Sequence, residues 1–323
     1  MQHLTEQDND SQDEDDCWTP LQIAAREGDL SAIHAALASG ADVNAPPRGY
    51  YGRTALQAAC EASHGAVVSA LLAAGAEVND RPGNNGAKNA LQIAAGKPDL
   101  AIVRTLLDHG ADVNVPASQY FGMTALQGAC AAGLDDTVAL LLEHGADVNA
   151  PPAPTAGRTA LQAACEGGFL AMAAMLIQRQ GAEVDAPACR NRGFTALQAA
   201  SYRGRAGLVE MLLTAGPAGV AGVASGASGR AAGAGADVNA EGSRFKGGRA
   251  LHAAAEGGHV RVCETLLGAG AEIEAGTGWG GMVRGRTQTA LQCAAARGHD
   301  EVVRLLRSRG ATGMEGGGVT LFG

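Results

Sequence analysis

Seven cysteines and eight histidines are the residues of this chain best suited to nucleophilic or metal chemistry. A thiolate attacks carbon or binds soft metals, and an imidazole serves as a base or a zinc ligand. Their spacing argues against both uses. Cys17, Cys60, Cys130, Cys165, Cys189, Cys263 and Cys293 form no CxxC pair, and no HExxH occurs. An odd count without close pairs is no disulfide framework either. His64, His259 and His299 fall at equivalent points of a repeated segment, so repetition accounts for them better than a shared site. Gly96-Lys97 is followed by Pro98 where a phosphate loop needs Ser or Thr, and "GTGWGG" from Gly276 neither follows a strand nor opens a helix. No catalytic residue, metal ligand or cofactor is expected.

The remaining chemistry is recognition. Aromatics are only 3% of the chain, yet Tyr50, Tyr51, Tyr120, Phe121, Phe194, Phe245 and Trp279 all lie in Pro/Gly-rich turn segments. These segments also hold twelve of the 24 Lys and Arg residues, including Arg158, Arg192, Lys246 and Arg284, with only Asp80 and Glu241 opposing them there. Rings bury much area with few rotamers, and arginine pairs bidentately with carboxylate or phosphate. Together they suggest a groove for a protein segment with apolar and acidic or phosphorylated features. Tyr202 and Arg203 are the best candidates outside the turns. An alternative stays open: Tyr50, Tyr120 and Phe245, each six residues before a repeated leucine, stack to stiffen the turns. In that reading the arginines are solvated, and Tyr51 is the residue that meets a partner.

What must position these residues is a repeat. "TPLQIAA" at Thr19 returns as "TALQAA", "NALQIAA", "TALQGA", "RALHAA" or "TALQCAA" at Thr54, Asn89, Thr124, Thr159, Thr195, Arg249 and Thr289. Its leucines, Leu21, Leu56, Leu91, Leu126, Leu161, Leu197, Leu251 and Leu291, are spaced by 35, 35, 35, 35, 36, 54 and 40 residues. Each leucine shares a helix face with the alanines three and four positions later. A second apolar set follows, such as Val103, Leu106 and Leu107, and then a Gly-Ala-Asp-Val-Asn exit into the turn. Neither short helix can bury its apolar face alone, so units must stack. Charged and aromatic positions five and six after the leucine should line the inner face of the first helices.

These motifs resemble the ankyrin repeat family, in units like fungal arrays with "TALQAA" and a 35-residue period. The resemblance covers about residues 17–312. It implies an all-α repeat solenoid of eight helix-turn-helix units with β-hairpin-like fingers formed by the turns. The fingers and first helices would make a concave, protein-binding surface, and the chain would be a monomeric, non-enzymatic scaffold or adaptor. Two alternatives are a regulatory or inhibitory subunit of an enzyme and a sensing fragment of a larger NTPase-type signalling protein. The family's His after the leucine is Gln in seven units and His only at His252, a change that keeps a donor and an acceptor.

The net charge of -9 is concentrated at the start, where Glu6, Asp8, Asp10, Asp13, Glu14, Asp15 and Asp16 precede any Lys or Arg. Residues 1–16 are therefore expected to be a disordered acidic tail, and the nearly neutral remainder disfavours nucleic-acid binding. A Gly/Ala/Ser-rich insertion at about 217–234 accounts for the 54-residue spacing and reads as a loop-out. Residues 313–323 form a C-terminal tail of no readable role. The start has no signal-peptide pattern, and no stretch suits a membrane span, so a reducing cytoplasmic or nuclear setting is expected.

Overall fold

The computed structural model describes residues 18–47, 52–80, 88–118, 122–215, 235–243, 248–277 and 287–313. The expected acidic tail and insertion lie outside these residues, as does the C-terminal tail beyond Gly313. The chain divides into two compact units, 1–147 and 148–323. The first holds α1 Pro20–Glu27, α2 Leu30–Ala38, α3 Ala55–Glu61, α4 Gly65–Ala73, α5 Ala90–Ala94, α6 Leu100–Asp108, α7 Ala125–Ala132 and α8 Asp135–Glu143. The second holds α9 Ala160–Gly167, α10 Leu170–Gln180, α11 Ala196–Tyr202, α12 Ala206–Thr214, α13 Ala250–Gly257, α14 Val260–Gly268, α15 Ala290–Arg297 and α16 Asp300–Ser308. Within each unit, odd-numbered helices pack on odd and even on even, as stacked helix pairs require.

Each first helix starts where a polar side chain can close its free N–H groups. Thr54 Oγ1 accepts from the Gln57 N–H at 3.3 Å, and Gln57 Oε1 accepts from the Thr54 N–H at 3.2 Å. The same reciprocal capping box forms at Thr19, Asn89, Thr124, Thr159, Thr195 and Thr289. The glutamine then reaches across to the following turn. Gln22, Gln92, Gln162 and Gln198 donate through Nε2 to the carbonyls of Ala45, Val115, Ala186 and Ala240 at 2.9–3.2 Å. His252 does the same work. Its Nδ1 accepts from the Arg249 N–H, so its Nε2–H donates to the Ala275 carbonyl at 2.8 Å. Burial holds this imidazole below the ordinary histidine range, which keeps the neutral form that this pattern needs.

The core is thin, built from the repeated leucines and alanines together with Val67, Val68, Leu71 and their equivalents in the second helices. Alanines let the first helices approach closely. α5 ends at Ala94, ahead of Pro98, which cannot continue a helix. Among the described residues the turns form no strand. Two neighbouring turns instead meet through one parallel bridge, Thr155 to Asn191.

Asparagines join consecutive pairs. Asn44, Asn79 and Asn114 donate from Nδ2 to the carbonyls of Gly75, Gly110 and Gly145, and through Oδ1 accept from the N–H of Glu77, Asp112 and Asp147. Asn149 and Asn239 repeat the clasp in the second unit. Each asparagine thus secures its turn with partners supplied by the next pair. No described helix is long and apolar enough to cross a membrane.

Gly28 ends α1 at φ 78°, and a Cβ there would lie 2.7 Å from the His64 ring. Ser63 takes the equivalent place after α3 at φ 60°, where an L residue is strained. Ser63→Gly should therefore raise stability by up to about 1 kcal/mol, whereas Gly28→Ala should lower it by about 2 kcal/mol or more. Urea denaturation of the two variants checks both signs.

Candidate functional site

The variable positions of the first helices are joined to one another by ion pairs. Glu61, five after its leucine, lies 3.4 Å from both Arg53 in the preceding turn and Lys97 of the next pair. Glu166 repeats this arrangement, with Arg158 at 2.8 Å and Arg203 at 3.5 Å. Glu256 pairs with Arg297 in the same register. The next turn in the second unit is tied down too, by Arg249 on Glu272. Among the described residues, opposition to the turn cations thus comes from Glu61, Glu166 and Glu272 outside the turns, and not from Asp80 and Glu241, the two acids within them. The missed signal was a glutamate five after one leucine and a cation six after the next.

The histidines are equally structural. His64, His259 and His299 each cap a second helix and place Nε2 3.0–3.1 Å from the carbonyls of Arg26, Tyr202 and Glu256 of the preceding pair. Their repetition follows from this bond.

Of the twelve candidate recognition residues, Arg158, Arg192, Tyr202 and Arg203 are described, and the structure brings them together. Tyr50, Tyr51, Tyr120, Phe121, Phe245, Lys246, Trp279 and Arg284 lie outside the described residues. Arg158 is 12% exposed, and its NH1 donates to the carbonyls of Ala156 and Gly157 at 3.0 Å and of Arg192 at 3.4 Å. Its guanidinium also lies 5.4 Å from the centre of the Phe194 ring. Phe194 in turn stacks on Tyr202, with centroids 6.0 Å apart and 15° between planes. Arg158 therefore fastens two turns together and supports the ring pair, a role the sequence did not show. Tyr202, at the end of α11, is 37% exposed. Arg203 follows it at 51% side-chain exposure, and Arg192 stands exposed on the turn at φ 60°.

The arrangement offers binding chemistry: an exposed ring on a braced stack, with guanidinium groups beside it. Among the described residues no group of three or more His, Cys, Asp or Glu could hold a metal ion. Six cysteines are buried and free of disulfides. Burial pushes the thiols of Cys60, Cys130, Cys165 and Cys263 up to about 12 and that of Cys293 up to about 11. A nucleophilic thiolate needs the opposite shift.

A family model described as ankyrin repeats (3 copies) matches residues 1–82, 79–152, 150–220 and 230–314. No curated protein matches the sequence.

Five raised thiols have a measurable consequence. Thiol titration of the native chain at pH 8 should find Cys60, Cys130, Cys165, Cys263 and Cys293 unreactive, with all five appearing on denaturation. Unfolded thiols ionise near 9 while the native ones hold their protons, so the unfolded state binds fewer protons above that pH. Stability should accordingly fall as pH rises from 9 toward about 12.

Proposed function

The chain belongs to the ankyrin repeat family, and on that premise we propose that it is a non-enzymatic scaffold or adaptor that binds a protein along its turns and first helices. Ankyrin repeats generally mediate protein–protein interaction. The observation that carries the reading is the exposed Tyr202 ring, stacked on Phe194 and braced from below by Arg158. A large apolar ring left at the surface on a rigid support binds with little loss of side-chain freedom. Arg192 and Arg203 flank it with groups able to pair with carboxylate or phosphate. Tyr50, Tyr51, Tyr120, Phe121, Phe245, Lys246, Trp279 and Arg284 would extend the same surface along the neighbouring turns. Docking requires no bond chemistry, which suits an interior whose thiols are buried and protonated.

Tyr202→Ser tests the proposal because it removes the exposed ring and its stack on Phe194, while its backbone carbonyl still meets His259. Immobilised full-length chain should capture a defined partner from the source extract, and the Tyr202→Ser chain should lose most of it at an unchanged melting temperature. Equal capture by a folded Tyr202→Ser chain would sink the reading.

A further inference from the structure

The eight repeats differ in where their charges sit, and the sixth stands apart. From Ala186 to Val209 it has Arg190, Arg192, Arg203 and Arg205 and no Asp or Glu. Each of the other seven repeats has at least one acid in the matching window around its leucine. This excess survives folding. Arg203 shares Glu166 with Arg158, which takes the shorter contact, and among the described residues no carboxylate pairs with Arg190, Arg192 or Arg205. Elsewhere Arg53, Lys97, Arg249 and Arg297 each have a glutamate partner. Arg205 also stands where three other repeats have their bonding histidine, with its guanidinium packed over Gly168. The same stretch carries both members of the aromatic stack, Phe194 and Tyr202.

We infer that the sixth repeat is the point where the partner is held, and that it takes an acidic segment carrying one aromatic side chain. This rests on the reading that the turn and first-helix surface is the binding surface, and it names what that surface selects. Charge complementarity sets the sign: uncompensated guanidiniums attract carboxylates and repel basic segments. The layout sets the spacing. Arg192 stands on a turn and Arg203 at a helix end with Tyr202 beside it, so several separated carboxylates suit them better than one compact phosphate. Glu166, already seated between Arg158 and Arg203, further disfavours a concentrated dianion at that point. The partner's ring packs against the exposed part of Tyr202.

Fluorescence anisotropy with the full-length chain tests this, using as probe a labelled peptide of Asp and Glu residues around a single Trp. Saturable binding is expected, weaker at higher salt because exposed charges are screened. The doubly reversed Arg192→Glu, Arg203→Glu chain should bind at least about 10-fold less tightly, and Tyr202→Ser should cost a similar factor. Arg261→Glu, at the exposed pair that joins α14 to Glu210 of α12, should leave affinity unchanged. Melting curves confirm that each variant is folded. Replacing the probe's Trp by Ala should weaken binding, and equal affinity would remove the ring from the proposal. Tighter binding by a neutral peptide with one phosphoserine, or by a single-stranded RNA, would overturn the acidic segment as occupant. If no acidic probe binds while capture from extract still depends on Tyr202, the recognition surface stands and this inference falls.

Discussion

One buried side chain sets the form of each repeat. The glutamine after the leucine closes the capping box at the start of the first helix. In Gln22, Gln92, Gln162 and Gln198 its Nε2 also holds the carbonyl where the next turn begins, whereas the buried Nε2 of Gln57 meets no partner among the described residues. Gln22, Gln57, Gln127, Gln162 and Gln198 are 1% exposed, so their polar groups cannot rely on water. An amide suits the position because it has an acceptor and donors on one planar group. Neutral imidazole offers the same pair, which is why His252 fits and why its burial favours the uncharged ring. Helix start and turn exit are thereby fixed together, and the turns stand where this bond places them.

A second set of contacts runs between pairs and uses positions that vary. Glutamates five after the leucine join cations of the preceding turn and the next helix; histidines reach back to the carbonyl of the residue in that same place. Sequence variation at such sites therefore reports exchange among several bonding solutions as well as freedom for recognition. Gly28, Gly204 and Gly258 illustrate the coupling, since a Cβ on any of them would meet the histidine ring of the following pair. Ser63 is tolerated where the next pair supplies Asp99 instead of a ring.

The helices and their order were legible because periodicity is a local property. Leucine spacing, the alanines behind it and the closing glycines each repeat within one unit, and the copies reinforce the pattern. The Arg158–Glu166–Arg203 set was not legible, since its members sit 8 and 37 residues apart and pair only once two units stack. Arg158 shows the consequence. By type and place it read as a recognition residue, yet its donors are spent on three carbonyls and a carboxylate. Tyr202 and Arg203 were singled out from sequence because they break the repeat's own pattern, and the structure leaves both exposed.

Bracing and surface exposure are therefore divided between neighbours. A turn with few packed side chains would lose freedom on meeting a partner, and that entropy opposes binding. Arg158 removes part of the cost beforehand by tying the turn before α9 to the turn before α11 and seating Phe194 under Tyr202. The guanidinium is suited to this because its planar fork serves several carbonyls while its face lies against a ring. Lysine at position 158 would keep the charge yet lose the fork. The exposed ring depends on the buried cation beneath it, so the most conspicuous surface residue of the second unit owes its orientation to one that no partner need touch.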